Sequence, residues 1–190
     1  MFWVDRRKRR LGVSLVVASV VLMITSCTST APVRTPSATP SPSLDQTFDC
    51  TDAIRTASTL AEVAPNPIAV DVMAITGGAP GSPTDPIQLG SAGDDGLRFG
   101  KIGIAIKTGQ KFTITVPRAW QNRMRIGWSN HGKVLATTLH VPGCSSTPPG
   151  AEWVVYPGGF WLKAAACVPL TIQTSTETRT IHVPIGKHCP

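Results

Sequence analysis

Residues 101–116, KIGIAIKTGQKFTITV, decide the fold class. Ile102, Ile104 and Ile106 fall on one side of an extended chain, and Phe112, Ile114 and Val116 repeat the pattern ten residues further on. Period-2 alternation of β-branched and aromatic residues is the mark of half-buried strands. The four residues KTGQ between the two runs predict a hairpin turn. Downstream, RMRIGW (123–128) places Met124, Ile126 and Trp128 inward, with Arg123 and Arg125 outward. SNHGK (129–133) turns the chain into VLATTLH (134–140). EWVVY, FWLKA, VPLTIQ (168–173) and TRTIHV (178–183) follow, joined by turns such as PGG and STET. Upstream, IAVDVMAI (68–75) reads as a strand before the long loop TGGAPGSPTDP. One helix is expected, over DAIRTASTLAEVA (52–64). Ile54, Ala57, Ala61 and Ala64 have helical spacing there, Thr51 or Asp52 can cap its start, and PNP (65–67) stops it. The expectation is a mainly-β chain, folded as a single β-sandwich-like or barrel-like domain with one short N-terminal helix. No repeat of fixed period stands out.

Hydrophobic residues make up 42% of the 190 and charged residues 15%, a balance that suits a globular domain. The formal charge of +7 invites a nucleic-acid reading, but its distribution removes the support. Of 18 Lys and Arg and 11 Asp and Glu, Arg6, Arg7, Lys8, Arg9, Arg10 and Asp5 lie in the first ten positions, leaving 13 basic and 10 acidic residues beyond residue 26. No nucleic-acid partner is expected.

The first residues have three zones: the basic block RRKRR, the uncharged run LGVSLVVASVVLMI, and TSC. That is the plan of an export signal, with an apolar run short of the roughly 20 residues a membrane span needs. Ile24-Thr25-Ser26-Cys27 resembles the bacterial lipobox. The resemblance implies removal of residues 1–26 as a lipoprotein signal peptide, diacylglyceryl attachment (with palmitate-type acyl chains) to the Cys27 thiol, and acylation of the new amino group. Each buried methylene contributes about 0.8 kcal/mol, and two or three chains on one residue hold a protein at a membrane lastingly. The membrane is therefore the first expected partner, and the expected location is the extracytoplasmic side of the cell membrane. Residues 27–46 then form a Ser/Thr/Pro-rich tether that cannot bury enough apolar surface to fold. At about 3 Å per residue in polyproline form, the tether reaches several nanometres. Residues 47–190 are the expected β-domain.

Cys50, Cys144, Cys167 and Cys189 remain after lipidation, an even number in an oxidising compartment, which predicts two disulfides. Three pairings are open. The preferred expectation ties the domain ends through Cys50–Cys189 and closes YPGGFW through Cys144–Cys167.

Sites for chemistry are not evident. His131, His140, His182 and His188 lack the spacing of a zinc site, and Cys189 is expected to be oxidised. There is no G-x-S-x-G elbow. Asp94-Asp95, in SAGDDGLRFG, has the composition of an exposed turn rather than a glycosidase pair. TGGAPG lacks the Lys-Ser/Thr ending of a phosphate loop. No catalytic residue, metal or cofactor is assigned. The one suggestive cluster is PRAWQNRMRIGW (117–128), with Trp120, Arg123 and Arg125 as candidate ligand-binding residues and Arg118 and Trp128 beside them. Aromatic rings and cations together bind sugars or anionic polymers. The ordinary reading is that Trp128 is core and the arginines face solvent. Trp153, Tyr156, Phe160 and Trp161 form a second aromatic group.

FGKIGIAIKTGQKFTITVP, YPGGFWLKAAACVPLTIQ and IHVPIGKHCP, spanning about 97–190, resemble small secreted or lipid-anchored β-domain proteins of actinobacteria. The resemblance implies an exported, disulfide-bearing β-domain and transfers no site residues. The expected function is a non-enzymatic cell-envelope binding module for a glycan or a protein partner. The alternatives are an accessory or scaffold subunit of an envelope complex, or a hydrolase of unrecognised site.

Overall fold

The computed structural model describes residues 44–76, 85–129 and 134–190. The signal peptide, Cys27, nearly all of the tether and His131 lie outside the described residues. The chain is mainly β, with three sheets and no α-helix among the described residues. In chain order the strands are β1 (Asp45–Thr47), β2 (Arg55–Ala57), β3 (Ile68–Val70), β4 (Met73–Ile75), β5 (Arg98–Lys101), β6 (Ile104–Lys107) and β7 (Lys111–Thr115). They continue as β8 (Met124–Trp128), β9 (Thr138–Pro142), β10 (Trp153–Tyr156), β11 (Gly158–Leu162), β12 (Ala166–Gln173) and β13 (Thr178–Ile185). The first sheet has the order β1-β9-β7-β12-β13, the second β2-β10-β6-β4-β3, and the third β5-β11-β8.

The alternation read from the sequence sets the core. Ile102, Ile104 and Ile106, then Phe112, Ile114 and Val116, then Met124, Ile126 and Trp128 are all buried in one cluster to which all three sheets contribute. Trp128 also satisfies its polar edge, its Nε1 donating to the carbonyl of Ile102 at 2.9 Å, as a buried indole must. Packing on this scale, with Tyr156, Phe160 and Leu170 at 0% exposure, is the main stabilising term.

The connections differ from expectation. KTGQ is not a hairpin turn, because β6 belongs to the second sheet and β7 to the first. Its backbone is held from outside: Thr108 N–H donates to Glu152 O at 2.9 Å and Gly109 N–H to Cys144 O at 2.8 Å. Alternation gives each strand an inner face but does not say that two inner faces share a sheet. IAVDVMAI is likewise two strands, β3 and β4, antiparallel about Asp71 and Val72. STET is a true hairpin turn, with Gln173 opposite Thr178 at the head of the long β12–β13 pair.

The expected helix over 52–64 is replaced by β2 and a single 3₁₀ turn at Leu60–Glu62. Three of its four apolar positions were alanines, too little surface to hold an isolated helix of that length. Ile54, the largest, is 65% exposed. Pairing of Ala57, Thr56 and Arg55 with Trp153, Val154 and Val155 of β10 satisfies the backbone instead. The 3₁₀ turn is closed by Glu62, whose carboxylate accepts from the Thr59 N–H at 3.0 Å and hydroxyl at 2.9 Å.

The second and third sheets are two halves of one bent pairing. Tyr156 lies opposite Ile104 and Gly159 opposite Lys101, so the β5–β6 and β10–β11 segments keep one register through the bend. Pro157 and Gly158 then face Gly103 and Ile102, and Ile102 N–H donates to Gly158 O at 2.9 Å across the corner. PGG is thus a bend between sheets rather than a turn. Both glycines are required by close approach. A Cβ on Gly158 would lie 2.2 Å from Gly127 O, and one on Gly159 would lie 2.0 Å from Gly100 O.

The disulfides are Cys50–Cys144 and Cys167–Cys189, with Cα separations of 5.4 and 4.9 Å. The preferred pairing is corrected on both counts. Cys50 follows β1 and Cys144 follows β9, and these strands are parallel neighbours, so the bond joins the continuations of one pair. Cys167 sits in β12 opposite Pro184, close to where the chain leaves β13 for Cys189. The neighbourhood of the Cys50–Cys144 bond also pins the entering chain. Phe48 meets Tyr156 edge-on at 4.8 Å, and the Tyr156 hydroxyl donates to Cys50 O at 3.3 Å. Burial, and then the carboxylate charge of Asp49, push the Tyr156 phenol above its ordinary pKa. Asp49 itself titrates below the usual carboxylate value because the Thr51 hydroxyl and N–H donate to it.

Candidate ligand-binding face

Four histidines and two adjacent aspartates were the residues to test for chemistry. His140 and His182 are exposed on the outer face of the first sheet, on strands separated by β7 and β12, and His188 is exposed near the C-terminus. His140 Nδ1 lies 3.2 Å from the Thr113 hydroxyl. Asp94 and Asp95 are exposed, and Asp95 Oδ1 accepts from the Leu97 N–H at 2.9 Å, which is the work of a turn residue. Among the described residues no group of three or more His, Cys, Asp or Glu is placed to hold a metal ion. Two shallow depressions, of about 470 and 630 Å³, carry one ionisable side chain each. Arg98 in the first donates to Gly90 O at 2.8 Å. Glu152 in the second pairs with Lys107 at 3.0 Å.

The candidate cluster 117–128 is split by the fold. Residues 118–120 form a 3₁₀ turn ahead of β8, and Trp120 packs partly against the core. Arg123 is exposed and stacks on Trp120, with Cζ 3.9 Å from the ring centroid. Arg125 takes another course: it is partly buried, and its Nη1 donates to the carbonyls of Gln121 and Met124. The second aromatic group is dispersed. Trp153, Tyr156 and Phe160 are buried, whereas Trp161 is partly exposed on the outer face of the third sheet.

That outer face joins Arg125 to Trp161 of the second aromatic group and to Phe99, Lys101 and Lys163, which sequence reading passed over. Trp161 lies directly opposite Phe99 on one side and Arg125 on the other, making one row across three strands. The Phe99 and Trp161 rings stack at 4.4 Å with a 30° tilt. Each ring leans across a glycine of the next strand: Phe99 Cε2 lies 2.8 Å from where a Gly159 Cβ would stand, and Trp161 Cζ3 lies 3.3 Å from the position for Gly127. Covering a strand glycine with a neighbour's ring stabilises the sheet, and it turns the accessible side of both rings away from the protein. Lys101, opposite Gly159, is exposed at one end of this face. Lys163, whose N–H donates to Arg123 O at 3.1 Å, is exposed at the other. No Asp or Glu occurs in β5, β8 or β11. A signal was available in the repeated spacing: Phe99-Gly-Lys101 and Trp161-Leu-Lys163 both put a ring and a lysine on one face of a strand.

No protein-family model, curated protein or solved structure matches this chain.

Proposed function

We propose that the chain is an exported lipoprotein, held by lipid on Cys27 at the outer side of the cell membrane. Its sandwich-like β-domain is a non-enzymatic envelope module that binds a ligand through the outer face of the third sheet. The anchor rests on the export signal and on Ile24-Thr25-Ser26-Cys27. The observation that carries the binding reading is the stacked Phe99–Trp161 pair, left partly exposed on a face with four cations, whose strands β5, β8 and β11 hold no Asp or Glu. Burying the rings against the core would have been the ordinary use of two large aromatics. A ring pair bordered by charge of one sign supplies apolar contact and electrostatic selection together.

Two measurements test this reading. Metabolic labelling with an alkynyl fatty acid is expected to mark the wild-type chain and not Cys27→Ser; equal labelling of both removes the anchor. For binding, the thermal midpoint of the full chain, disulfides intact in neutral detergent, is followed against envelope glycans, phospholipids and divalent metals. A ligand at 100 times its Kd adds about 2.7 kcal/mol to native stability, and that rise is expected with at least one polymer. A flat response to the whole panel turns the assignment toward a scaffold for a protein partner.

A further inference from the structure

Resting on the binding reading above, we infer the class of ligand: a linear polysaccharide of acidic pyranose units, laid along the outer face of the third sheet. Lys101 marks one end, the Phe99–Trp161–Arg125 row lies in the middle, and Lys163 with Arg123 marks the other end. The two ends stand four residues apart along the strands, about 13–14 Å at the usual strand rise. Cations therefore flank the rings on both sides instead of clustering at one point. A compact anion such as inorganic phosphate would engage one end and leave the rings idle. A polymer of alternating apolar surface and charge meets all three zones.

The rings narrow the polymer further. One side of a pyranose carries axial C–H bonds, weakly positive and poorly hydrated, which settle on the negative face of an aromatic ring. Because Phe99 and Trp161 cover Gly159 and Gly127, their accessible sides face outward from the sheet. A sheet face admits a chain along its length, and the two depressions described above lie elsewhere and lack aromatic lining. Neutral glycans would leave Lys101, Lys163, Arg123 and Arg125 without counter-charge. Nucleic acid also stacks and carries charge, but net charge gives it no support, since the chain beyond residue 26 has only three basic residues in excess, 13 against 10 acidic.

The outer face of the first sheet is the internal control. Thr113, Thr115, Thr138, Thr171 and Thr180 line it in cross-strand rows, without a partly exposed aromatic among its described residues. Solvent-facing strands favour threonine with no ligand in view.

The test uses the full chain in neutral-detergent micelles with both disulfides intact. Affinity is measured for four probes: polygalacturonate (acidic rings), dextran (neutral rings), poly-glutamate and polyphosphate (charge without rings). Polygalacturonate is expected to bind at least tenfold more tightly than each of the others, with affinity falling as salt rises. Trp161→Ala is expected to weaken it at least tenfold. Lys101→Ala with Lys163→Ala is expected to weaken it about fivefold or more and to flatten the salt dependence, and Thr171→Ala on the first sheet to change nothing. Near-ultraviolet circular dichroism checks that each variant is folded; should Trp161→Ala fail, the lysine pair and the probe ranking still decide. Poly-glutamate or polyphosphate matching polygalacturonate overturns ring recognition, and dextran matching it overturns the acidic requirement. In either case loss of affinity in the lysine or Trp161 variants would keep the face as the binding site. Binding that ignores every variant on the face overturns both this inference and the reading beneath it.

Discussion

The second and third sheets share one continuous pairing, of β5–β6 with β10–β11, yet their outer faces are finished in opposite ways. In the second sheet that face is lined with small residues. Ala57, Ala74 and Ala105 surround Trp153 and Val155, and the chain's own Leu60 and Val63 pack over them. In the third sheet the face carries Phe99 and Trp161, partly exposed and bordered by cations. Among the described residues the nearest cover is the 134–135 segment, where Val134 O and Leu135 close over Gly127. The contrast separates what a sheet needs from what it does not. Alanines under a loop are a way to complete a core; the rings of the third sheet cover strand glycines and still leave a partly exposed aromatic surface bordered by like charges.

The frame common to both halves gives the largest expected effects. Replacing Cys50 and Cys144 together by serine opens a link spanning 94 residues and is expected to cost about 4–5 kcal/mol on the chain-entropy account. The Cys167 and Cys189 double variant spans 22 residues and is expected to cost about 3 kcal/mol. Urea midpoints of the two double variants give the order, and a reversal would place the more important clamp at the C-terminus. Next comes the bend itself. Gly159→Ala, with its Cβ 2.0 Å from Gly100 O, is expected to lose about 3 kcal/mol or more. An unchanged urea midpoint would mean that β5 and β11 can separate freely at the corner.

The covered half should then differ from the open half in kind. Leu60→Ala with Val63→Ala thins the cover of the second sheet and is expected to cost about 2 kcal/mol in denaturant titrations while leaving polymer affinity untouched. A drop in affinity there would erase the division between a structural face and a binding face. Smaller still is Tyr156→Phe, which removes a 3.3 Å hydrogen bond worth about 1 kcal/mol. Tyr156 is the single tyrosine of the chain, so its ionisation can be followed alone by ultraviolet absorbance. Its folded pKa is raised by burial and by Asp49, so the protonated phenol favours the native state. That contribution is complete below the unfolded value, about 10, and is lost as pH rises through the folded value. The wild-type chain is expected to lose stability there more steeply than Tyr156→Phe; parallel curves would deny the phenol this role.

Strand positions and inner faces were legible because alternation reports burial directly, as Ile104, Ile114 and Ile126 illustrate. The partnering of strands was not. KTGQ and PGG look like hairpin turns in a linear reading, and only tertiary contacts send their flanking strands to different sheets. The disulfide pairing depends on the same information, since Cys50 and Cys144 meet through the parallel β1–β9 pair across 94 residues. Helical spacing of small residues at 52–64 yielded to a sheet edge offering backbone partners. At the candidate site, Arg123 over Trp120 follows from local spacing. The row joining Phe99, Trp161 and Arg125 needs three strands brought together from three parts of the chain.

The most direct measurement is a nuclear magnetic resonance titration of the full chain with polygalacturonate, reading the indole N–H signals assigned by single Trp→Phe variants. The account predicts that the Trp161 signal moves most, Trp120 less, and that Trp128 and Trp153, buried in the core and under the cover of the second sheet, stay fixed. A titration that moves Trp153 while leaving Trp161 in place would put the ligand on the wrong half of the bent sheet and contradict the account.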